Sequence, residues 1–431
     1  MSRDACCVLR VTSRHAPRNT QRTNRRTTMD RDLFIWTFGP VLTPVETGEF
    51  DDLGVVEEMV EGYHSIIALR VTALPLYAGD SLVRGLLWQE WAQNLLRRQT
   101  QCLAALHPSL LEAESPNPTL RTLDLRYVAQ GDHGGLELAL LVKAFDPDAQ
   151  RSRWWARALA NEVLMLFPSE YGLQPVASER EFARYALCLD ELVAENEEEA
   201  SLDWWLGEIR RYEEFVPLDR ERQVREQNYL VYPFTWRVDG MSQVLALLHC
   251  WPGQAVVSVA LRPTYLHEAE ERHLCDLYAT FEKLEGADWL KARIQGQIGQ
   301  RIYAAYLRRL KRPYLMRVRF AGRDSEPEAL VRALGATLSA VPDLQSGGSL
   351  PETYFEAGYE VAFPRRTAHD ELETAWRNLR WLEFDDWGAE LSLPIYRRFR
   401  YLVDAWAANS AFRLPVLPPE LIVELGLDSE K

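Results

Sequence analysis

The chain has 431 residues, of which 47% are hydrophobic, with 14 Trp and a formal charge of −14; that length suits two or three domains, and that apolar content excludes disorder for the body of the protein. Residues 1–28 hold seven Arg against one Asp, and taking that +6 from −14 leaves −20 for the rest, too acidic for a general nucleic-acid coat. No run reaches the ~18 apolar residues of a membrane helix, and Cys6, Cys7, Cys102, Cys188, Cys250 and Cys275 show no Cys-x-x-Cys spacing, so reduced thiols in a soluble, cytoplasmic protein are expected.

The predicted elements begin after a basic stretch. Residues 1–28 read as a disordered tail or as a translation start placed too early, with Met29 the true first residue, because an apolar pattern opens at Leu33-Phe-Ile-Trp36; transit peptides share the composition. A first α+β lobe is expected over 29–190. In it Leu123, Leu125 and Tyr127 alternate with polar residues, Gln130–Gly135 supplies a turn, and Leu136, Leu138, Leu140 and Val142 alternate again, which predicts a β-hairpin. Asp146-Pro-Asp then reads as an N-cap with Pro at the first helical position, opening a helix that carries Trp155, Leu159, Val163 and Leu166 until Pro168.

Residues 191–227, with the acidic run Glu191–Glu199 and Trp204-Trp205, predict a charged helical connector. A second α+β lobe follows over 228–392. Val257, Val259 and Leu261 form a strand, and Pro263-Thr264 starts a helix with Leu274, Leu277, Phe281 and Leu284 on one face. Met316, Val318 and Phe320 form another strand, with Arg317 and Arg319 on its opposite face. A helix over Pro327–Leu338, a loop at Gln345–Ser349, alternation at Tyr359, Val361 and Phe363, and a helix with Leu372, Trp376 and Leu379 complete the lobe. The fold class expected is α+β, with two related ferredoxin-like lobes and a terminal helix and extended tail over 393–431.

Several residues invite chemistry. His267-Glu-Ala-Glu-Glu-Arg-His273 spaces its histidines at i and i+6, which on a helix places them ~120° apart rather than on one metal-binding face, and the glutamates suit a helix start. His249-Cys250 lies at an expected helix end before Pro252-Gly253, where adjacent side chains diverge, and His133 sits in a turn. Trp154-Trp155 and Trp204-Trp205 read as one core and one interface residue each. No metal or cofactor site is expected. The basic, aromatic-interleaved segment 301–319 makes Arg308, Arg309, Lys311 and Arg312 candidates for contact with a partner or with nucleic acid, although cations also suit a helix carboxyl end. Phe412, Arg413, Leu414 and Pro415 read either as a docking strand for a partner or as a packed extension.

None of the five lysines, Lys143, Lys283, Lys291, Lys311 and Lys431, follows a glycine, so the chain holds no phosphate-binding P-loop. Gly-x-Gly-x-x-Gly and Gly-x-Ser-x-Gly are missing as well. Yet Phe167-Pro-Ser-Glu-Tyr-Gly-Leu-Gln-Pro175, Leu261-Arg-Pro-Thr-Tyr-Leu266, the segment 312–320, and an Arg-rich stretch from Ile395 leading to Phe412-Arg-Leu-Pro415 follow one another in an order that resembles the amino-terminal regions of HerA/FtsK-superfamily and conjugation-type (type IV secretion-like) P-loop ATPases. The resemblance spans about Met29 to Pro418 and stops short of the motor core. It implies a non-enzymatic accessory or scaffold subunit that assembles, as a homo- or hetero-oligomer, with a separate P-loop motor. The alternatives are a metal-dependent hydrolase or nuclease using scattered carboxylates such as Asp124 or Glu137, or a fragment of a split ATPase gene.

Overall fold

The computed structural model describes residues 33–51, 54–75, 77, 85, 87–110, 120–130, 136–187, 204–216, 229–323, 327–339, 358–365, 367–388 and 396–418. Residues 1–28, His133, the acidic run 191–199 and the loop 345–349 lie outside these. The class is α+β: a ten-stranded antiparallel sheet with helices on both faces. In chain order the main strands are β1 (Trp36–Asp51), β2 (Gly54–Val71), β3 (Leu120–Gln130), β4 (Leu136–Asp146), β5 (Leu173–Pro175), β6 (Trp204–Arg211), β7 (Glu213–Phe215), β8 (Tyr229–Val231), β9 (Gln254–Pro263), β10 (Tyr314–Arg323), β11 (Tyr359–Ala362) and β12 (Leu402–Val403). The sheet runs β1-β2-β4-β3-β9-β10-β6-β11, with β5 continuing the β1 side of β2 and β12 continuing the β6 side of β10; β7 and β8 pair separately.

The strands of the two expected lobes therefore meet in one sheet. The seam is the β3–β9 ladder, from Leu123 opposite Leu261 to Gln130 opposite Gln254. Both strands are buried along nearly their whole length; an open edge of that kind invites foreign pairing, and joining the halves removes it. A second correction concerns the helical connector: residues 204–211 form β6, between β10 and β11. The strand was hidden because its outward-reading charges, Glu208 and Arg210, are buried, and burial of paired charges breaks the apolar/polar alternation that marks a strand.

Ten helices are described: α1 (Trp88–Leu110), α2 (Ala149–Leu166), α3 (Glu179–Leu187), α4 (Met241–His249), α5 (Glu268–Glu285), α6 (Leu290–Arg309), α7 (Glu328–Leu338), α8 (His369–Trp381), α9 (Tyr396–Phe399) and α10 (Ala405–Ala408). The N-cap of α2 is Asp148, whose carboxylate accepts from Arg151 N at 2.8 Å, while Asp146 accepts from Asp148 N. The cap thus lies two residues later than the sequence suggested. Likewise α5 starts after His267, not Thr264, with Glu270 reaching back to His267 N at 3.0 Å. The expected terminal helix is broken into α9, β12 and α10.

On one face of the sheet, odd positions of β3 and β9 (Leu123, Leu125, Val257, Val259) and even positions of β4 and β10 (Leu140, Val142, Met316, Val318) build the largest core with α1, α2, α4, α7 and the carboxyl tail. The other face carries α3, α5, α6 and α8 over three smaller clusters. Between those clusters lies a buried layer of charge. Arg126, Lys143, Arg210, Arg317 and Arg319 project from the strands and are all less than 10% exposed.

Their partners are the end of α8 and the segment after it. Lys143 Nζ donates to Trp381 O at 2.6 Å, Arg319 to Asn378 O at 2.6 Å, Arg317 to Phe384 O at 2.7 Å and Arg210 to Trp387 O at 3.0 Å; Arg126 donates to Leu379 O. A helix leaves its last four carbonyls without intrahelical donors, and its carboxyl end favours cations; here the sheet supplies both needs. Leu382 ends α8 in the left-handed region (φ 57). Carboxylates balance the layer: Asp124 with Arg126 at 2.7 Å, Glu383 with Lys143 at 2.8 Å, and Glu208 with both Arg317 and Arg210 at 3.0 and 3.1 Å.

Burial alone would raise the Glu208 carboxyl, but the guanidiniums of Arg317, Arg210 and Arg319 outweigh it and hold it at about 2. A carboxylate held below its unfolded value stabilises the fold above its unfolded pKa and loses that contribution as pH falls toward the folded one. Urea unfolding between pH 5 and 2 is therefore expected to show a loss of about 3 kcal/mol from this group, with a shallower decline in Glu208→Gln. Arg319→Leu leaves the Asn378 and Glu383 carbonyls without their donors and is expected to cost about 3–5 kcal/mol at neutral pH, read from the urea midpoint.

Candidate anion-binding site

The basic segment singled out in the sequence lies at the end of α6. Pro313 lacks an amide hydrogen and disfavours helix for the residue before it, so α6 closes at Arg309 with Leu310 N donating to Tyr306 O at 2.9 Å. Arg308, Lys311 and Arg312 are exposed and Arg309 is half-buried. Lys311 and Arg312 make no hydrogen bond or ion pair among the described residues, unlike the cations locked into the sheet.

Beside them the surface forms a concavity of about 460 Å³ lined by Ala104 and His107 of α1, Arg309, Lys311, Arg312, Tyr314, and Asp404, Ala405 and Trp406. The Arg309 guanidinium lies 5.4 Å from the Trp406 ring centre. His107 Nε2 is 2.9 Å from Pro313 O and its ring meets Tyr314 edge-on at 5.0 Å; burial, partly offset by that carbonyl, lowers its basicity, so the imidazole is neutral at pH 7. Asp404 caps α10, accepting from Ala407 N at 2.6 Å, and burial raises its carboxyl. The walls are thus apolar and aromatic, with the uncommitted charge all positive. Trp406 and His107 were not singled out in the sequence, since neither belongs to a motif.

The tail residues fare differently. Phe412, Arg413 and Leu414 are each 1% exposed, which corrects their reading as an outward docking strand: they form the packed extension. Gln99 of α1 grips the tail like a strand partner, accepting from Leu414 N at 2.8 Å and donating to Leu414 O at 3.1 Å. Trp88 Nε1 donates to Leu417 O at 2.9 Å, and Tyr127 donates to Arg413 O. Arg413 donates to Arg237 O at 2.7 Å; burial lowers its guanidinium to about 10 against the opposing pull of Tyr127 and Asp239.

The other candidates resolve into structural roles. His267 is an N-cap, and His273 stacks on Phe399 at 6.1 Å and tilts against Tyr396 at 5.3 Å. His249 and Cys250 end α4. Asp124, besides Arg126, accepts from Ser258 at 2.8 Å, and Glu137 pairs with Arg184, so neither carboxylate faces an open site and the two are not brought together. Trp154 is exposed and Trp155 half-buried, their rings 4.3 Å apart and T-shaped. Among the described residues no three His, Cys, Asp or Glu side chains gather to hold a metal ion, and no helix is long and apolar enough to cross a membrane. No family model matches the sequence, and no curated protein matches it.

Gln99→Leu removes both grips on Leu414 while keeping similar bulk, leaving the buried Leu414 amide without an acceptor and its carbonyl with only the Tyr171 hydroxyl at 3.3 Å. A loss of about 2–4 kcal/mol is expected, measured by denaturant unfolding, with faster proteolysis at the carboxyl terminus.

Proposed function

We propose that the chain is a non-catalytic assembly subunit, built on the plan of the amino-terminal regions of HerA/FtsK-type and conjugation-type motors, which docks onto a separate P-loop ATPase in the cytoplasm. The order of its sequence motifs supports the class of partner, and the thiols of Cys102, Cys250 and Cys275, none of them in a disulfide, suit a reducing compartment. With the carboxyl tail packed inside the chain, a surface that suits assembly is the long β1 edge of the sheet.

The observation that carries this reading is the outer edge of β1. This strand is sixteen residues long and pairs with β2 on one side only; among the described residues nothing pairs with its other side. Val41 and Leu42, with Met59 across the hairpin, are exposed at 38%, 64% and 59%. Long open edges with apolar side chains are the feature monomeric proteins avoid and assemblies use, through strand addition.

Affinity capture of the full chain with the ATPases encoded beside it, combined with mass measurement in solution, is expected to recover a P-loop protein and an oligomeric mass. A strictly monomeric mass with no P-loop protein retained overturns the proposal. Leu42→Lys with Met59→Lys is expected to release the partner while shifting stability by only about 0.5 kcal/mol, as for exposed positions. The purified chain alone is expected to hydrolyse neither ATP nor nucleic acid with magnesium or manganese.

A further inference from the structure

We infer that the concavity between the end of α6, α1 and α10 is a binding site for a nucleoside phosphate, carried either by a free nucleotide or by a single strand of nucleic acid. The argument rests on what the site combines. Its volume of about 460 Å³ lies in the range of small-ligand sites and fits one nucleotide unit. Its accessible apolar walls, Ala104, Ala405 and Trp406, suit a flat, weakly polar body rather than a bare anion, which would leave them wet.

The charges sit where a phosphate would follow. Lys311 and Arg312 stand exposed in the lining and pair with no carboxylate among the described residues. In a chain of net charge −14, two adjacent basic side chains without an acid partner among the described residues bring positive charge to the rim of one hollow. The single acid in the lining, Asp404, caps its own helix and has the Arg309 guanidinium as an opposing charge. Arg309, held near the Trp406 ring, makes a cationic platform on which a base can stack. A guanidinium and an ammonium together can take phosphate oxygens by fork and by point charge.

This site does not depend on the proposed ATPase partner, and either reading can fail alone. The test is fluorescence anisotropy on the full chain with two probes, a labelled oligo-thymidylate and a fluorescent nucleoside monophosphate, with inorganic phosphate as competitor. Saturable binding of at least one probe is expected, weakening about tenfold for the oligonucleotide between 50 and 200 mM salt, as for two or three strand phosphate contacts. Lys311→Glu with Arg312→Glu is expected to lower affinity tenfold or more and flatten the salt dependence, with the thermal midpoint unchanged. Trp406→Leu is expected to lower it about fivefold or more without changing the salt slope, whereas Trp406→Phe, which keeps a ring and guards against misfolding, stays within about threefold. Binding by the oligonucleotide alone assigns the strand as source, and by the mononucleotide alone the free nucleotide. No binding at millimolar concentration, binding indifferent to the charge reversal, or full competition by equimolar inorganic phosphate overturns the inference.

Discussion

The layer of buried cations between the sheet and the end of α8 is the constraint on which the architecture turns. Buried charge is expensive when a partner is missing and tolerable when every donor meets an acceptor. Arg126, Lys143, Arg210, Arg317 and Arg319 come from four strands, β3, β4, β6 and β10, and each reaches a carbonyl between Asn378 and Trp387. The helix end needs those donors as much as the cations need acceptors. Four strands must therefore align in one register before the segment can seat, which makes the layer a check on sheet order that apolar packing, being non-directional, does not supply.

The same layer explains why the chain makes one sheet of what looks like two units. Arg317 and Arg319 belong to the second half, Arg126 and Lys143 to the first, and all four donate to one cap. Glu208 on β6 bridges Arg210 and Arg317, tying the intervening segment into the same network. On the opposite face the carboxyl tail does comparable work across the first half: Gln99, Tyr127 and Tyr171 all bond to backbone carbonyls of Arg413 or Leu414. Among the described residues the β1 edge and the basic hollow beside Trp406 face outward, and these are the two surfaces proposed above for a partner and a ligand.

Much of the local structure was legible. The β3–β4 hairpin, α2, β9, β10, α7 and α8 follow from period-two or helical apolar spacing with turn residues or Pro at their boundaries, and Arg317 and Arg319 do lie opposite Met316 and Val318. The β1–β2 hairpin was not read, because β2 buries His64 and Ser65 beside Ile66 and Ile67, and burial on both faces erases alternation. β6 escaped for a related reason, as Glu208 and Arg210 look like surface charge until their partners are known. Of the site, Arg308, Arg309, Lys311 and Arg312 stood out as a basic run, but His107 and Trp406 had no signal, lying far from that run in sequence.

The sequence by itself determined the α+β class, the elements with clear apolar spacing, the absence of a phosphate-binding P-loop and the one basic, aromatic-interleaved patch in an acidic body. These depend on local spacing and composition, which a linear reading contains. Tertiary structure alone decided that the strands share a single sheet, that the carboxyl tail is an internal strap, and that the basic run opens onto an aromatic hollow. Each of those outcomes depends on which distant donor meets which acceptor, and pairing of that kind is a property of three-dimensional proximity that no pattern along the chain records.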